Sequence, residues 1–116
     1  MQIFRLALRA VLYQDAGRWL AHCLEMDLIG EGVTREEALD SLSESIHMQV
    51  EFSVENNNVA NIFQPADARY LQMFAAGQDL PHAQFRVEAF SDQNLRIDRL
   101  EAREYSGSDA LLAAAN

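Results

Sequence analysis

One long amphipathic helix constrains the fold of this chain more than any other feature of its sequence. Residues 34–37 read Thr-Arg-Glu-Glu, a capping box in which the Thr34 hydroxyl can accept a hydrogen bond from the Glu37 amide. The Glu37 carboxylate can in turn reach back to the Thr34 amide. The run Asn56-Asn57-Asn58 ends the segment, because asparagine tolerates left-handed backbone geometry. These signals predict a helix that begins after Thr34 and ends before Asn56.

The side chains of this segment alternate between an apolar and an acidic face. Five apolar residues keep the i, i+3, i+4 spacing of a buried face: Ala38, Leu39, Leu42, Ile46 and Val50. Four acidic residues are expected to face away from the core: Glu37, Asp40, Glu44 and Glu51. Gap filling in the core is expected of three methionines: Met26, Met48 and Met73.

The sequence before the helix predicts three strands. From Ile3 to Tyr13 the even positions are all apolar, and this period of two indicates a strand. Residues 14–17, Gln-Asp-Ala-Gly, predict a tight turn and a hairpin to a second strand over about 18–24. A third strand is expected over about 28–33, where Gly30 and Gly32 indicate either a bulge or a close backbone approach.

The sequence after the helix predicts a short helix and a hairpin. Residues 68–76 carry apolar side chains at helical spacing and end at Gly77. Residues 85–89 and 95–105 alternate like strands, and a shift of the apolar phase between Ile97 and Leu100 indicates a bulge. The predicted fold is α+β, an antiparallel sheet (β-β-β-α, short helix, β-β) packed against one long helix. Because the chain has only 116 residues, its two parts, residues 1–58 and 59–116, are expected to form a single domain.

Composition narrows the class of partner and the compartment. Nine basic against eighteen acidic residues give a net charge of −9, which repels phosphate backbones. Such a charge suits a basic protein partner, and it equally suits solubility alone. The single cysteine, Cys23, cannot form an internal disulfide and fits a reducing compartment. No signal peptide and no membrane-spanning run is recognised. A cytoplasmic protein without direct nucleic-acid or membrane contact is predicted.

Three carboxylates around the third strand are the candidates for a metal site. Glu25, Asp27 and Glu31 lie close together in the sequence, and a metal-dependent hydrolase or nuclease needs several converging carboxylates. The first strand has no acidic residue between Ile3 and Tyr13, and the helix acids are expected on its outer face. Solvated loop carboxylates are therefore the preferred interpretation, with no metal or other cofactor, and the hydrolase is kept as an alternative.

Adjacent His22 and Cys23 raise the possibility of a Cys/His nucleophile. Neighbouring residues on a strand point to opposite faces of the sheet, so the two side chains cannot meet. His47 and His82 form no cluster at zinc-ligand spacing. No catalytic residue is predicted.

The segment from Trp19 to Val50 resembles the HicB-like antitoxin domain. The resemblance rests on Cys-Leu-Glu-Met-Asp at 23–27, Gly32, Thr-Arg-Glu-Glu-Ala-Leu at 34–39, and Leu42. It implies a β-β-β-α-β unit, a degenerate relative of the ribonuclease H fold without its catalytic carboxylates. The capping box and the apolar spacing of the helix give a structural role to Thr34, Glu37, Ala38, Leu39, Leu42 and Ile46.

The same resemblance implies a non-enzymatic protein-interaction module. Such an antitoxin binds and neutralises a small, basic, HicA-like mRNA interferase, and members commonly form homo-oligomers. Four residues are the expected partner contacts: Glu25, Asp27, Glu31 and Glu44. Residues 59–116 contain no recognition helix for DNA, so an orphan relative of the family is a second interpretation. A structural oligomer that binds a small ligand is a third.

Overall fold

The α+β class predicted from the sequence is confirmed. The computed structural model describes residues 4–80 and 95–106. Its elements follow in the order β1 (Phe4–Asp15), β2 (Arg18–Cys23), β3 (Leu28–Gly32), α1 (Arg35–Glu55), a 3-10 turn (Val59–Asn61), α2 (Ala68–Ala76), β4 (Gln78–Asp79) and β5 (Leu95–Glu104).

The five strands form one mixed sheet in the order β3-β2-β1-β5-β4. The pairs β1–β2 and β2–β3 are antiparallel, as expected. The short strand β4, which the sequence did not predict, is antiparallel to β5, whereas β5 runs parallel to β1. The expectation of a wholly antiparallel sheet was wrong at this one pair. Parallel neighbours need a long crossover, and two helices separate β1 from β5 in the chain. The bulge predicted near Ile97 is confirmed by a register shift that skips Asp98.

The predicted turn between β1 and β2 is observed, and one strand of the predicted C-terminal hairpin is described. Ala16 and Gly17 both have positive φ, 52° and 79°, in the turn of the predicted β1–β2 hairpin. Positive φ at both central residues is the geometry that matches the twist of a two-residue hairpin. The predicted strand at 85–89 and its turn lie outside the described residues, whereas its expected partner strand is observed as β5.

Helix α1 is capped largely as predicted. The Thr34 hydroxyl accepts from the Glu37 amide at 3.1 Å. The Glu37 carboxylate accepts from the amide of Val33 at 2.8 Å instead of that of Thr34, so the reciprocal bond reaches one residue further back. The helix ends at Glu55, and Asn57 takes the left-handed conformation with φ 56°.

The sheet lies between the two helices. Helix α1 covers one face through Leu42 and Ile46, which pack with Leu8, Leu12 and further buried residues. The other face is covered by α2, whose Met73 and Phe74 pack on Val11, Tyr13 and Leu24. The sequence predicted the short helix but not its place on the second face of the sheet.

Gly30 and Gly32 mark a close approach of α1 to β3. A Cβ on Gly30 would lie 2.2 Å from the Leu42 amide nitrogen and 2.3 Å from the Ala38 carbonyl oxygen. A Cβ on Gly32 would lie 2.7 Å from the amide nitrogen of Ala38. Of the two interpretations left open by the sequence, the close backbone approach is therefore correct.

Candidate functional site

Each of the three candidate carboxylates, two in the turn before β3 and one within β3, interacts with a partner on a strand. Glu25 accepts from both the backbone amide and Nε of Arg9, at 2.6 Å each. Asp27 Oδ1 lies 2.6 Å from His22 Nε2. Glu31 forms an exposed ion pair with Arg18.

These three pairs keep the carboxylates in separate interactions. Glu25 lies over β1, Asp27 turns to the α2 face of β2, and Glu31 lies beside the first residue of β2. Within residues 4–80 and 95–106, no group of three His, Cys, Asp or Glu side chains could hold a metal ion. The structure thus does not assemble the carboxylate set of the hydrolase alternative.

His22 and Cys23 lie on opposite faces of the sheet, as predicted. The Cys23 side chain is buried with the α1-side core, and burial raises the pKa of its thiol to about 11, which keeps it protonated at neutral pH. His22 lies on the α2 side, with its ring centroid 4.0 Å from that of Tyr70. The pair therefore has no geometry for joint nucleophilic catalysis.

The His22 imidazole is buried between β2 and α2. The residue is 1% exposed. Burial lowers the pKa of the ring, while the hydrogen bond to Asp27 opposes that shift. Nδ1 has no hydrogen-bond partner in the described part of the chain. A neutral ring with one hydrogen bond to a surface carboxylate is the expected state. His22 thus helps to hold α2 on the sheet.

The exposed side of α1 carries a row of five residues at four-residue intervals. We call it the α1 outer row, and it consists of Glu36, Asp40, Glu44, Met48 and Phe52. All five are exposed, Met48 by 68% and Phe52 by 60%. Residues four apart are neighbours on a helix surface, so the row is acidic toward the N-terminus of α1 and apolar toward its C-terminus.

Sequence reasoning assigned only part of this row. Glu44 was an expected contact, but Met48 was expected in the core, and that expectation was wrong, whereas Met26 and Met73 are buried. Met48 lies four residues after the solvent-facing Glu44, and this spacing was the signal for its exposure. Phe52 could have been placed on the same row by the same spacing.

The carboxylates of the row have no basic partner. In the described ranges no ion pair or side-chain hydrogen bond involves Glu36, Asp40 or Glu44. Arg35, the one arginine of α1, stacks on Trp19 at 4.3 Å and pairs with Glu104. These three carboxylates are therefore available to interact with basic residues of a partner.

The apolar end of the row borders a shallow depression. Met48 and Phe52 line it together with Ser45 and Gln49. The opposite side of α1 already buries Leu42, Ile46 and Val50 completely. The helix therefore does not need these two side chains to attach itself to the sheet.

Comparisons with known proteins identify no relative. The chain matches no protein-family model, no curated protein and no solved structure. The resemblance to the HicB-like domain therefore depends on the motif residues at 19–50 alone. Neither helix of the described ranges is long and apolar enough to cross a membrane.

Proposed function

We propose that this chain is a non-enzymatic, HicB-like interaction module of the cytoplasm that binds and neutralises a small basic mRNA interferase. The observation that carries the proposal is the α1 outer row, in which three neighbouring carboxylates are exposed and without a basic partner. Opposite potentials speed the encounter of two proteins and favour one partner over others. The motif at residues 23–42 supplies the class of partner.

The positions of the acids in α1 support a role beyond helix stability. An acidic residue in the first turn, such as Glu36, is favoured by the helix dipole. Glu51 and Glu55 lie near the C-terminus, where negative charge is unfavourable, and the last turn contains no basic residue. Acids kept at both ends of the helix are explained better by a basic partner than by the stability of α1.

The proposal moves the contact surface away from the loop. Glu25, Asp27 and Glu31 already have partners on the strands, so binding through them would require those interactions to break. Glu44 has no such partner and stays in the proposed surface, together with Glu36 and Asp40. The basic partner would then lie along α1.

The test is co-purification from the native host followed by a charge variant. The tagged chain should recover a short Lys/Arg-rich protein at low salt and release it when the salt is raised. Asp40→Asn with Glu44→Gln should lose most of that protein. The control, Asp15→Asn with Asp79→Asn, changes the net charge equally but away from α1 and should retain it. Absence of any basic protein, or equal loss in both variants, would overturn the proposal.

We propose in addition that the chain forms a homo-oligomer through β3. This strand lies at the edge of the described sheet and pairs on one side only, with β2. Ile29, the second residue of this strand, is 48% exposed, and a strand at the edge of a sheet favours pairing with a second copy. Ile29→Lys should convert the oligomer to a monomer in light scattering after size-exclusion chromatography. An unchanged mass would rule out this edge.

A further inference from the structure

The apolar end of the α1 outer row is not packed against any element among residues 4–80 and 95–106. Met48 and Phe52 are the two most exposed large apolar residues of α1. They are neighbours at i, i+4 and border the same depression with Ser45 and Gln49. Scattered apolar residues are ordinary on a protein surface, but adjoining ones that form a patch indicate contact with another molecule.

The negative charge around Met48 and Phe52 indicates which class of molecule can bind there. Glu44 precedes it on the same row, and Glu51 and Glu55 flank it on the exposed surface of the helix. An anionic membrane would be repelled by these carboxylates. A second copy is disfavoured at this patch as well, because antiparallel pairing of two α1 helices centred on Met48 and Phe52 would place Glu55 of each copy near Glu44 of the other. A basic protein surface is the occupant that complements both the apolar and the acidic side chains.

We infer that Met48 and Phe52 are the apolar anchor that docks a basic partner protein on α1 and fixes its direction along the helix. The inference rests on the proposed function and adds the site of contact. The partner should present an apolar cleft or side chain over Met48 and Phe52 and a run of Arg or Lys toward Glu36. Interfaces of this kind concentrate binding energy in a central anchor, with charged residues at its rim.

The separation of Glu36 and Phe52 along α1 sets the length of the proposed contact surface. Glu36 and Phe52 are sixteen residues apart, which at the rise of an α-helix is about 24 Å. Each four-residue step also turns about 40° around the helix axis, so the row crosses the exposed side of α1 obliquely. A partner that covers the acidic and the apolar part together must therefore curve around the helix. The order of the two parts then sets one orientation of the partner, because reversing it would place its basic residues over Met48 and Phe52.

A photo-crosslinking experiment in the native host tests the site. Benzoylphenylalanine placed at Phe52 should crosslink to a basic protein, and less so at raised salt. The control position is Leu71, which is also exposed but lies on α2 at the opposite face of the sheet. Crosslinks from position 71 and none from position 52 would overturn the inference, as would crosslinks from position 52 only to a second copy of this chain.

Affinity measurements on the crosslinked protein, purified separately, distinguish the site from the function. Met48→Gln with Phe52→Gln should weaken binding about tenfold or more at both low and high salt. The matched control, Phe63→Gln with Leu71→Gln, removes two exposed apolar side chains elsewhere and should bind like the wild type. Unchanged affinity of the first variant, with partner still bound, would refute the anchor but not the proposed function. Failure to find any basic partner would refute both.

Discussion

At the scale of the residue, the burial of His22 makes the stability of the fold depend on pH. The ring packs against Tyr70 of α2, the Asp27 carboxylate lies on Nε2, and the charge of Arg69 opposes protonation. Burial lowers its pKa in the folded state, whereas the unfolded chain keeps the ordinary value of about 6.5. Below that value the unfolded state takes up a proton that the folded state does not.

Stability should therefore fall as the pH decreases from about 7.5 to about 5.5, before most carboxylates protonate. His22→Gln should remove most of this difference in the free energy of unfolding, measured by urea denaturation at the two pH values. An NMR titration of the wild-type ring provides an independent check. A His22 that titrates at or above its ordinary pKa would contradict this account.

A second prediction at this scale concerns the cap of α1. Thr34→Ala removes the acceptor of the Glu37 amide and should lower the free energy of unfolding by about 1 kcal/mol. Thr34→Ser keeps the hydroxyl and should cost much less. Equal thermal stability of the two variants would mean that the cap does not stabilise the helix.

At the scale of the element, the contact of α1 with β3 is the least tolerant part of the fold. Gly30→Ala would place a Cβ within 2.3 Å of two backbone atoms of α1, which cannot move aside as a side chain can. We expect a loss of about 3 kcal/mol or more in the free energy of unfolding. Gly17→Ala is the control, since it meets no atom within 4 Å and only its positive φ of 79° is strained. That variant should lose about 1 kcal/mol, and an equal loss in both would contradict the close packing.

Local signals predicted α1 well, but they did not predict how the elements are arranged. The cap at Thr34 and the apolar spacing of α1 are properties of neighbouring residues, so the sequence contains them directly. The direction of β5 and the position of α2 depend on long connections, and no residue pattern within those elements encodes them. One sequence signal for the buried α2 face was present in β1, where the odd positions 11 and 13 hold the apolar residues Val11 and Tyr13.

The candidate site was predicted in part for the same reason. Glu44 follows from the helical period, and the same period applied to Met48 and Phe52 completes the α1 outer row. The partners of Glu25, Asp27 and Glu31 lie on β1 and β2, and only the pairing register of those strands brings them together. The three carboxylates are close in sequence and were therefore considered as one metal site, but in the fold each one interacts with a different residue.

At the scale of the whole molecule, the distribution of charge matters more than its total. The net charge of −9 suits a basic partner or solubility alone, but the carboxylates of the α1 outer row would give the attraction to a basic partner a direction. Association with such a partner should slow at raised salt, because screening acts on the encounter of exposed charges. Asp40→Asn with Glu44→Gln should reduce both the association rate and its salt dependence in a biolayer or plasmon-resonance assay. A salt dependence equal to that of the wild type would contradict the assigned surface.

The most direct measurement of the central claim is RNA cleavage by the co-purified basic protein, with and without this chain. The account predicts that the basic protein cleaves mRNA alone and that an equimolar amount of the wild-type chain suppresses the cleavage. The Asp40→Asn, Glu44→Gln variant should fail to suppress it, whereas the Asp15→Asn, Asp79→Asn control should succeed. Cleavage that continues unchanged in the presence of the wild-type chain would contradict the account.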